Sequence, residues 1–308
     1  MIIMESQTPR VSVIISTYNR SRVLYYAIAS VLSSTFRDWE IIVVGDACTD
    51  DSEAVVRSFQ DPRILFFNLK SNFGDQGGPN NEGFRRASGR YIAYLSHDDL
   101  YMPDHLETAV RGLEESGADF VSTLGISINR NGPNLLSGTY TKGPFVPNFS
   151  IPASLWFLKR EVLETVGDWR HPRECVLVPS QDLLVRIWKA GKRIQPIPKV
   201  TVIAVPSGCR PGIYAVQEWE ENRRVFQDVS SDPNFREKEL MKIIGERVSD
   251  EASMKIGIHL RWVLFNLVKK TVRLFGLTPM EASYSLRFRR KGAVINRWRK
   301  TIGLSRLK

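Results

Sequence analysis

The sequence is poor in cysteine and has no long apolar run. Among its 308 residues are three cysteines, Cys48, Cys175 and Cys209, which lie far apart without metal-ligand spacing. This sparse, odd count argues against a disulfide scaffold and favours a reducing compartment. No window offers the roughly 18 apolar residues of a membrane-spanning helix, and the opening stretch MIIMESQTPR is too short and too polar for a signal peptide. We therefore expect a cytoplasmic protein, either free or held peripherally on the cytoplasmic face of a membrane.

Acidic residues are scarce in the last part of the chain. Residues 255–308 hold 14 Lys or Arg and one acid, Glu281, so they carry a net charge of +13. The whole chain carries +10, which leaves −3 for residues 1–254. Such an asymmetry favours a tail that meets phosphate groups, in lipid or in nucleic acid.

Part of this tail, KIGIHLRWVLFNLVKKTVRLF at residues 255–275, has amphipathic helical spacing. Its apolar side chains fall near one helical face, with Lys269, Lys270 and Arg273 beside or opposite that face. The pattern is typical of a helix that lies in an anionic membrane interface. The alternative is a helix that packs on the rest of the chain and exposes a solvated basic face.

Apolar runs alternate with helical patterns over the first 130 residues. Four short apolar runs predict buried strands: VSVIIS (11–16), EIIVV (40–44), RILFF (63–67) and YIAYLS (91–96). The spacing between them predicts helices that begin near Ser21 and cover about residues 52–59 and 81–88. This alternation predicts an α/β fold in which a mostly parallel sheet is flanked by helices.

The pattern loosens beyond residue 130. A stretch rich in Gly, Pro and Asn predicts a loop. After it, PASLWFLKREVLETVGDW predicts a strand and a short helix, and a helix begins near Ser180. IQPIPKVTVIAV predicts another strand, and YAVQEWEENRRVFQDV predicts a polar amphipathic helix.

Each of the first four predicted strands is followed by a polar or glycine-rich stretch: TYNR, GDACTDD, GDQGGPNN and SHDD. In a parallel sheet, ligands bind beyond the carboxyl ends of the strands. Two adjacent carboxylates, Asp98 and Asp99, repel each other unless a positive group neutralises them. Because hard oxygen ligands suit Mg²⁺ or Mn²⁺, this strand end predicts a divalent cation site. The alternative is a solvated loop that also caps a helix.

Four motifs resemble those of inverting glycosyltransferases of family 2, in the same order and spacing. They are VSVIISTYNR, WEIIVVGDACTDDS, GRYIAYLSHDDLYMPDHL and SQDLLVRIW. The resemblance covers about residues 10–205 and implies the GT-A fold, a Rossmann-like sheet that binds nucleotide sugars. It implies a catalytic domain over residues 1–250, with a nucleotide-binding half over about 10–130 and an acceptor half over about 131–215. A basic, helical, amphipathic extension over residues 251–308 lies outside this catalytic domain.

The resemblance implies a nucleotide site at the ends of the first strands. Ser16, Thr17 and Tyr18 match the base-contacting segment, although they could simply end the strand. Asp46 matches an acid that accepts a hydrogen bond from the ring N–H of the base, which suits uracil or thymine because a carboxylate only accepts. The alternative is that Asp46 caps the next helix.

A second set of nucleotide contacts is implied further along the chain. Asn81 matches the asparagine at a helix start, but Asn80 stands where the family often has Arg. Asp98 would reach the ribose hydroxyls and Asp99 would ligate the cation. His97 could contact the sugar or be a solvated linker, and we interpret it as a linker.

On the acceptor side, Asp182 matches the catalytic base, with Gln181 where the family often has Glu. Such a base takes the proton from the acceptor hydroxyl while that oxygen attacks the anomeric carbon, so a single displacement inverts the configuration. The alternative for Asp182 is a helix cap. Trp156 and Trp169 could stack on a sugar ring, and core packing is their alternative.

These observations predict a metal-dependent, inverting glycosyltransferase. It would move a sugar from a UDP- or dTDP-linked donor to a hydroxyl of a glycan or lipid-linked acceptor. A nucleotidyltransferase of similar fold is a rival, but STYNRSR lacks the glycine-rich phosphate loop that such enzymes carry after the first strand. A second rival is a degenerate protein that binds carbohydrate or nucleic acid. Nucleic acid is not expected as a partner, because the chain has no zinc motif and no RNP-like aromatic motif.

Overall fold

The computed structural model describes residues 8–140, 145–148, 150–206, 210–216, 218–251, 276–288 and 290–307. The predicted amphipathic segment at residues 255–275 lies outside the described residues.

Four parallel strands form the first part of the sheet: β1 (Val11–Thr17), β2 (Trp39–Gly45), β3 (Ile64–Asn68) and β4 (Tyr91–Ser96). They lie side by side in the order β3-β2-β1-β4. Strands β1, β2 and β4 are buried almost throughout. Burial on both faces requires the continuous apolar runs that the sequence contains. The four predicted strands are confirmed to within one residue at each end.

Five further strands complete the sheet: β5 (Asp99–Tyr101), β6 (Phe120–Ser127), β7 (Leu135–Ser137), β8 (Trp156–Lys159) and β9 (Ile194–Ala204). The order continues as β4-β8-β6-β9-β5, with β7 beside β6. Strands β6 and β9 run in the direction of the first four, whereas β5, β7 and β8 run the opposite way. Most of the strands described therefore point one way, which confirms the predicted mostly parallel sheet.

Three helices connect the first four strands: α1 (Ser21–Leu32), α2 (Ser52–Ser58) and α3 (Gly77–Arg86). The other helices described are α4 (His105–Ser116), α5 (Arg160–Val166), α6 (Pro179–Lys189), α7 (Ile213–Val216), α8 (Glu220–Ser231), α9 (Phe235–Glu251), α10 (Pro279–Arg287) and α11 (Ala293–Thr301). The main core lies between the sheet and the helices that flank it. A second apolar cluster joins the β9–β5 edge to α8 and α9, through Leu100, Ile203, Val225 and Phe235 among others. None of the helices described is both long and apolar enough to cross a membrane.

The described part of the basic tail packs on the rest of the chain. Thr278 and Glu281 form a reciprocal capping box that starts α10. Lys189 Nζ on α6 lies 2.7 Å from Glu281 Oε1. The amide N–H of Gly292, just before α11, donates to the carbonyl oxygen of Cys175 at 2.9 Å. These contacts place α11 beside the carboxyl ends of the first strands, where it takes part in the site described below.

Candidate functional site

A cavity of about 210 Å³ lies at the carboxyl ends of β1, β2 and β4. Five of the residues predicted to bind nucleotide line it: Ser16, Thr17, Tyr18, Asp46 and Asp98. They come together because β1 lies between β2 and β4 and all three strands end at the same edge of the sheet. The place of the cavity is the one that the α/β topology predicts for a ligand.

The end of β1 forms one wall of the cavity. The carbonyl oxygen of Thr17 accepts a hydrogen bond from the amide of Asp46 at 2.8 Å, which joins the ends of β1 and β2. The Tyr18 ring lies 5.7 Å from the ring of Tyr214, which also lines the cavity. Aromatic faces of this kind can pack against a flat ring such as a nucleobase.

Asp46 is fixed by the loop that precedes α3. Its carboxylate accepts hydrogen bonds from the amides of Phe73 (2.6 Å) and Gly74 (2.8 Å) and from Nδ2 of Asn72 (3.0 Å). Asp46 therefore bonds this loop and is not the N-cap of α2, which was its alternative role. The side chain is 5% exposed, and burial raises the pKa of Asp46. An ionised carboxylate offers about four acceptor sites, so these three bonds leave about one for a ligand N–H.

The acid pair at the end of β4 is buried. Ser96 Oγ donates to Asp98 Oδ1 at 2.7 Å, and Ser154 Oγ donates to Asp99 Oδ2 at 2.5 Å. Asp98 lines the cavity, whereas Asp99 lies beside it against Ser154. Burial, together with the charge of Asp98, raises the pKa of Asp99. The buried Arg20 already brings a positive charge close to Asp98, and a cation bound beside Asp99 would favour the ionised form of that acid.

The pair fits a divalent cation that the ligand helps to hold. Within the described residues there is no group of three or more His, Cys, Asp or Glu side chains that could hold a metal alone. Mg²⁺, however, usually binds through one or two carboxylates together with substrate phosphates and water. Asp98 and Asp99 match that donor set.

His97 is part of the cavity wall, so its interpretation as a solvated linker is wrong. Its Nδ1 lies 3.3 Å from the carbonyl oxygen of Ser16. Its Nε2 is buried and has no hydrogen-bond partner among the described residues. Burial lowers the pKa of His97, which favours the neutral imidazole.

Asp182 lies in the first turn of α6 and not in the cavity lining. Its Oδ2 accepts a hydrogen bond from Arg186 Nε at 2.8 Å, and its Oδ1 lies 3.7 Å from Nη1 of Arg170. The neighbouring Gln181 donates to and accepts from the backbone of Ile151. A carboxylate could not donate in that pair, which explains why an amide stands at this position.

Three predicted site residues are used in packing. The side-chain amide of Asn81 donates one hydrogen bond to the backbone of Trp169 and accepts another from it, at 2.9 Å each. Asn81 does not line the cavity. Trp156 is 0% exposed and Trp169 is 3% exposed, and their rings stack 5.6 Å apart. Both indoles therefore belong to the core and not to a sugar-stacking surface, because the chain around them covers both faces.

The tail contributes cavity residues that the sequence did not predict. Trp298, Arg299 and Leu304 line the cavity together with the strand ends. The only sequence signal was the basic excess of residues 255–308, which favours phosphate but does not select any one residue.

Comparison with known proteins finds similarity to glycosyltransferases. The profile described as Glycosyl transferase family 2 matches residues 12–158. An uncharacterized glycosyltransferase of Nostoc sp. is 31% identical over 182 residues, 58% of this chain and 53% of the relative. The GalNAc(5)-diNAcBac-PP-undecaprenol beta-1,3-glucosyltransferase of Campylobacter jejuni is 39% identical over 114 residues, 36% of each chain. The chain thus spans about half or less of the length of these relatives.

Solved structures share the fold at low sequence identity. S. aureus TarS 1-349 in complex with UDP-GlcNAc has a TM-score of 0.57 and 17% identity, over 86% of this chain and 81% of that one. The mannosyltransferase PcManGT from Pyrobaculum calidifontis, in complex with GDP-Man and Mn²⁺, has a TM-score of 0.54 and 18% identity, over 96% and 89%. The predicted GT-A fold is confirmed. Over residues 12–158, the chain is thus similar to glycosyl transferase family 2.

Proposed function

We propose that the chain transfers a sugar from a nucleotide diphosphate donor to a hydroxyl group of a glycan or a lipid-linked acceptor. The main support for the proposal is that five predicted nucleotide-binding residues, from the ends of three strands, line one cavity. The similarity of residues 12–158 to glycosyl transferase family 2 supports the same class of reaction. The name of the Campylobacter jejuni relative, which includes an undecaprenol-linked glycan, supports the acceptor class.

Asp46 supports a donor with a uracil or thymine base. The N3–H of these bases is a donor, and the Asp46 carboxylate retains about one acceptor site beside the cavity. TarS, which shares the fold, was solved with UDP-GlcNAc. We therefore propose a UDP-sugar, with a dTDP-sugar as the alternative. Since PcManGT was solved with GDP-Man, a guanosine donor belongs in the test.

Asp99 would hold Mg²⁺ or Mn²⁺ together with the diphosphate of the donor, and Asp98 would reach the ribose hydroxyls. When bound, the cation neutralises the diphosphate and makes it a better leaving group. The Mn²⁺ in the PcManGT complex supports this choice of metal. Ser96 and Ser154 orient the two carboxylates through their hydroxyl groups.

Asp182 is the proposed general base. Its carboxylate would take the proton of the acceptor hydroxyl as that oxygen bonds to the anomeric carbon and the bond to the diphosphate breaks. Arg186 holds one carboxylate oxygen by a charge-assisted bond and so fixes the orientation of the base. A single displacement of this kind inverts the anomeric configuration.

The test is a donor panel with the full chain. UDP-, dTDP- and GDP-sugars are each incubated with Mn²⁺ or with EDTA, and release of the nucleotide diphosphate and the anomeric configuration of the product are measured. We expect turnover with a uridine or thymidine donor, loss of turnover in EDTA and an inverted product. The variant Asp182→Asn should lose about 10²–10⁴-fold in turnover while it keeps its donor affinity.

The matched control is Asp168→Asn, a nearby exposed acid that should keep full turnover. A chain that neither binds nor turns over any donor would contradict the proposal. A retained anomeric configuration would contradict the single displacement and the role of Asp182.

A further inference from the structure

Helix α11 and the residues after it cover the side of the cavity formed by the loop before α3. Ile302 is 1% exposed, so the end of α11 is anchored in the protein. A methyl group placed on Gly74 would lie 2.3 Å from Cδ2 of Leu307, which shows how closely the tail lies on that loop. Trp298 and Leu304 add apolar surface to the cavity lining.

Arg299 is held in this position from two sides. Its Nη1 donates to the carbonyl oxygen of Gly74 at 2.5 Å, and its Nε donates to the carbonyl oxygen of Ser305 at 2.7 Å. The side chain lines the cavity although the residue is only 7% exposed. Such a conformation leaves the guanidinium group little freedom, so its remaining donors have a fixed direction.

The guanidinium of Arg299 has donor capacity left over. In the part of the chain that the structure describes, both of its hydrogen bonds go to carbonyl oxygens and none goes to a carboxylate, and Nη2 has no acceptor. A buried cation is costly unless it is paired and hydrogen-bonded. The charges of Asp46 and Asp75 act on Arg299, and an acceptor atom of a ligand in the cavity would supply the hydrogen-bond partner for Nη2.

Asp46 and Arg299 are linked through a single residue. The amide N–H of Gly74 donates to Asp46, and the carbonyl oxygen of Gly74 accepts from Arg299. Both side chains line the cavity, and the charge of Arg299 lowers the pKa of Asp46 against the larger effect of burial. The cavity thus presents a hydrogen-bond acceptor near a hydrogen-bond donor. Uracil has the complementary edge, an N3–H next to the O4 carbonyl oxygen, whereas cytosine has an acceptor at N3 and an amino group in place of O4; the O2 carbonyl is common to both bases.

We propose that Arg299 is a base-recognition residue, supplied by the C-terminal tail, that donates to O4 of uracil and so selects uracil over cytosine. The inference rests on the proposed function, because it requires a nucleotide in this cavity. Lysine could not replace Arg299 fully, since the fork of the guanidinium bonds Gly74 and the base at once.

The experiment measures the Kd of UDP and of CDP, both with Mn²⁺, for the full chain and for Arg299→Ala. A charge-assisted hydrogen bond contributes about 1.5–3 kcal/mol, so UDP should bind roughly 10- to 100-fold more weakly to the variant. The affinity for CDP should change by less than about threefold, so the ratio of the Kd of CDP to the Kd of UDP should fall at least about threefold. Arg297→Ala and Lys300→Ala, exposed positions on the same helix, should leave both affinities unchanged.

Each outcome has a separate meaning. If the parent chain binds no nucleotide, the proposed function fails, and this inference fails with it. If the parent chain binds UDP and Arg299→Ala loses UDP and CDP equally, Arg299 acts on phosphate or only on the fold, and base recognition is wrong. Unchanged UDP affinity in Arg299→Ala overturns the inference alone. If Arg299→Ala does not fold, Arg299→Lys decides, because it should lose UDP affinity selectively, by several-fold, at an unchanged melting temperature.

Discussion

Asp99 is the first residue of strand β5, and its carboxylate is buried. The group is 7% exposed and lies next to Asp98, and it accepts hydrogen bonds from Ser154 Oγ and from the backbone amide of Val205. Burial and the neighbouring charge raise its pKa from 3.8 to about 8. A metal-free protein should therefore hold a proton on this acid near neutral pH, and a cation should compete with that proton.

This shift predicts how stability depends on pH. Because the folded pKa of Asp99 lies above its unfolded value of 3.8, the folded state binds the proton more tightly, and the contribution to stability is lost as pH rises from about 4 to about 8. Over that window, the free energy of unfolding of the metal-free parent should fall more than that of Asp99→Asn. Urea unfolding at several pH values measures the difference. The control is Asp228→Asn, an exposed acid, which should follow the parent.

Adding Mn²⁺ and UDP at pH 8 should raise the melting temperature of the parent but not that of Asp99→Asn. Parallel pH profiles for the two proteins would show that Asp99 is not the titrating group. Equal Mn²⁺-dependent stabilisation by UDP in both would remove Asp99 from the metal site.

Single residues were predictable where a motif combined with the topology. Ser16, Thr17, Tyr18, Asp46 and Asp98 sit at strand ends, so the order of the strands alone brings them to one edge. The burial of Trp156 and the place of His97 depend on which distant segments cover them, and a sequence contains no local signal for that.

The sequence likewise predicts some strands of the sheet and not others. Strands β1 to β4 follow from continuous apolar runs, because burial on both faces leaves little choice of residue. Strand β5 has three residues and follows directly on the acid pair, so it has too little sequence to show a period. Helix α3 begins at Gly77 and not near residue 81, because Asp75 Oδ1 accepts from the Gly77 amide and Pro79 is tolerated in the first turn.

The packing of α3 on the sheet leads to a prediction about glycine. A methyl group on Gly83 would lie 2.4 Å from Cγ2 of Ile14, in the middle of β1. Overpacking of a core typically costs about 1–3 kcal/mol, so Gly83→Ala should lower the free energy of unfolding by roughly that amount. It should also weaken UDP binding, since α3 and β1 both border the cavity.

Gly245→Ala is the matched control, because this glycine lies on an exposed face of α9 with no atom within 4 Å of the added methyl group. Alanine favours a helix interior by up to about 1 kcal/mol over glycine, so this variant should be neutral or more stable. Chemical unfolding of both variants gives the comparison. Equal stability of Gly83→Ala and the parent would show that α3 can shift away from β1 without loss.

At the scale of the whole molecule, the sequence shows the charge asymmetry but not where the basic tail packs. The described part of the tail packs on the body, and Arg299 bonds Gly74 across 225 positions of sequence. A contact over that separation depends on the complete fold, so neither the composition of the tail nor its helical spacing could predict it. The boundaries of the catalytic domain and of the extension stay predictions.

The membrane role of residues 255–275 also stays a prediction, and the described part of the tail changes how it must be tested. Deletion of residues 255–308 would remove Arg299 and α11 from the cavity along with the amphipathic segment. The double variant Lys269→Glu/Lys270→Glu alters the segment alone. Each basic residue near an anionic surface contributes about 1 kcal/mol, so reversal of two charges should weaken vesicle binding at least roughly 30-fold.

Co-sedimentation with vesicles of anionic lipid, at low and at high salt, measures this binding. The control Arg111→Glu/Arg224→Glu makes the same change in net charge at exposed positions on α4 and α8, so it separates a local surface from a general charge effect. We expect the control to bind like the parent at low salt, and high salt to release both, because salt screens exposed charges. Equal weakening by the two double variants would mean that overall charge alone attracts the chain to the membrane. Binding that neither variant alters would exclude the basic face of residues 255–275 as the membrane contact.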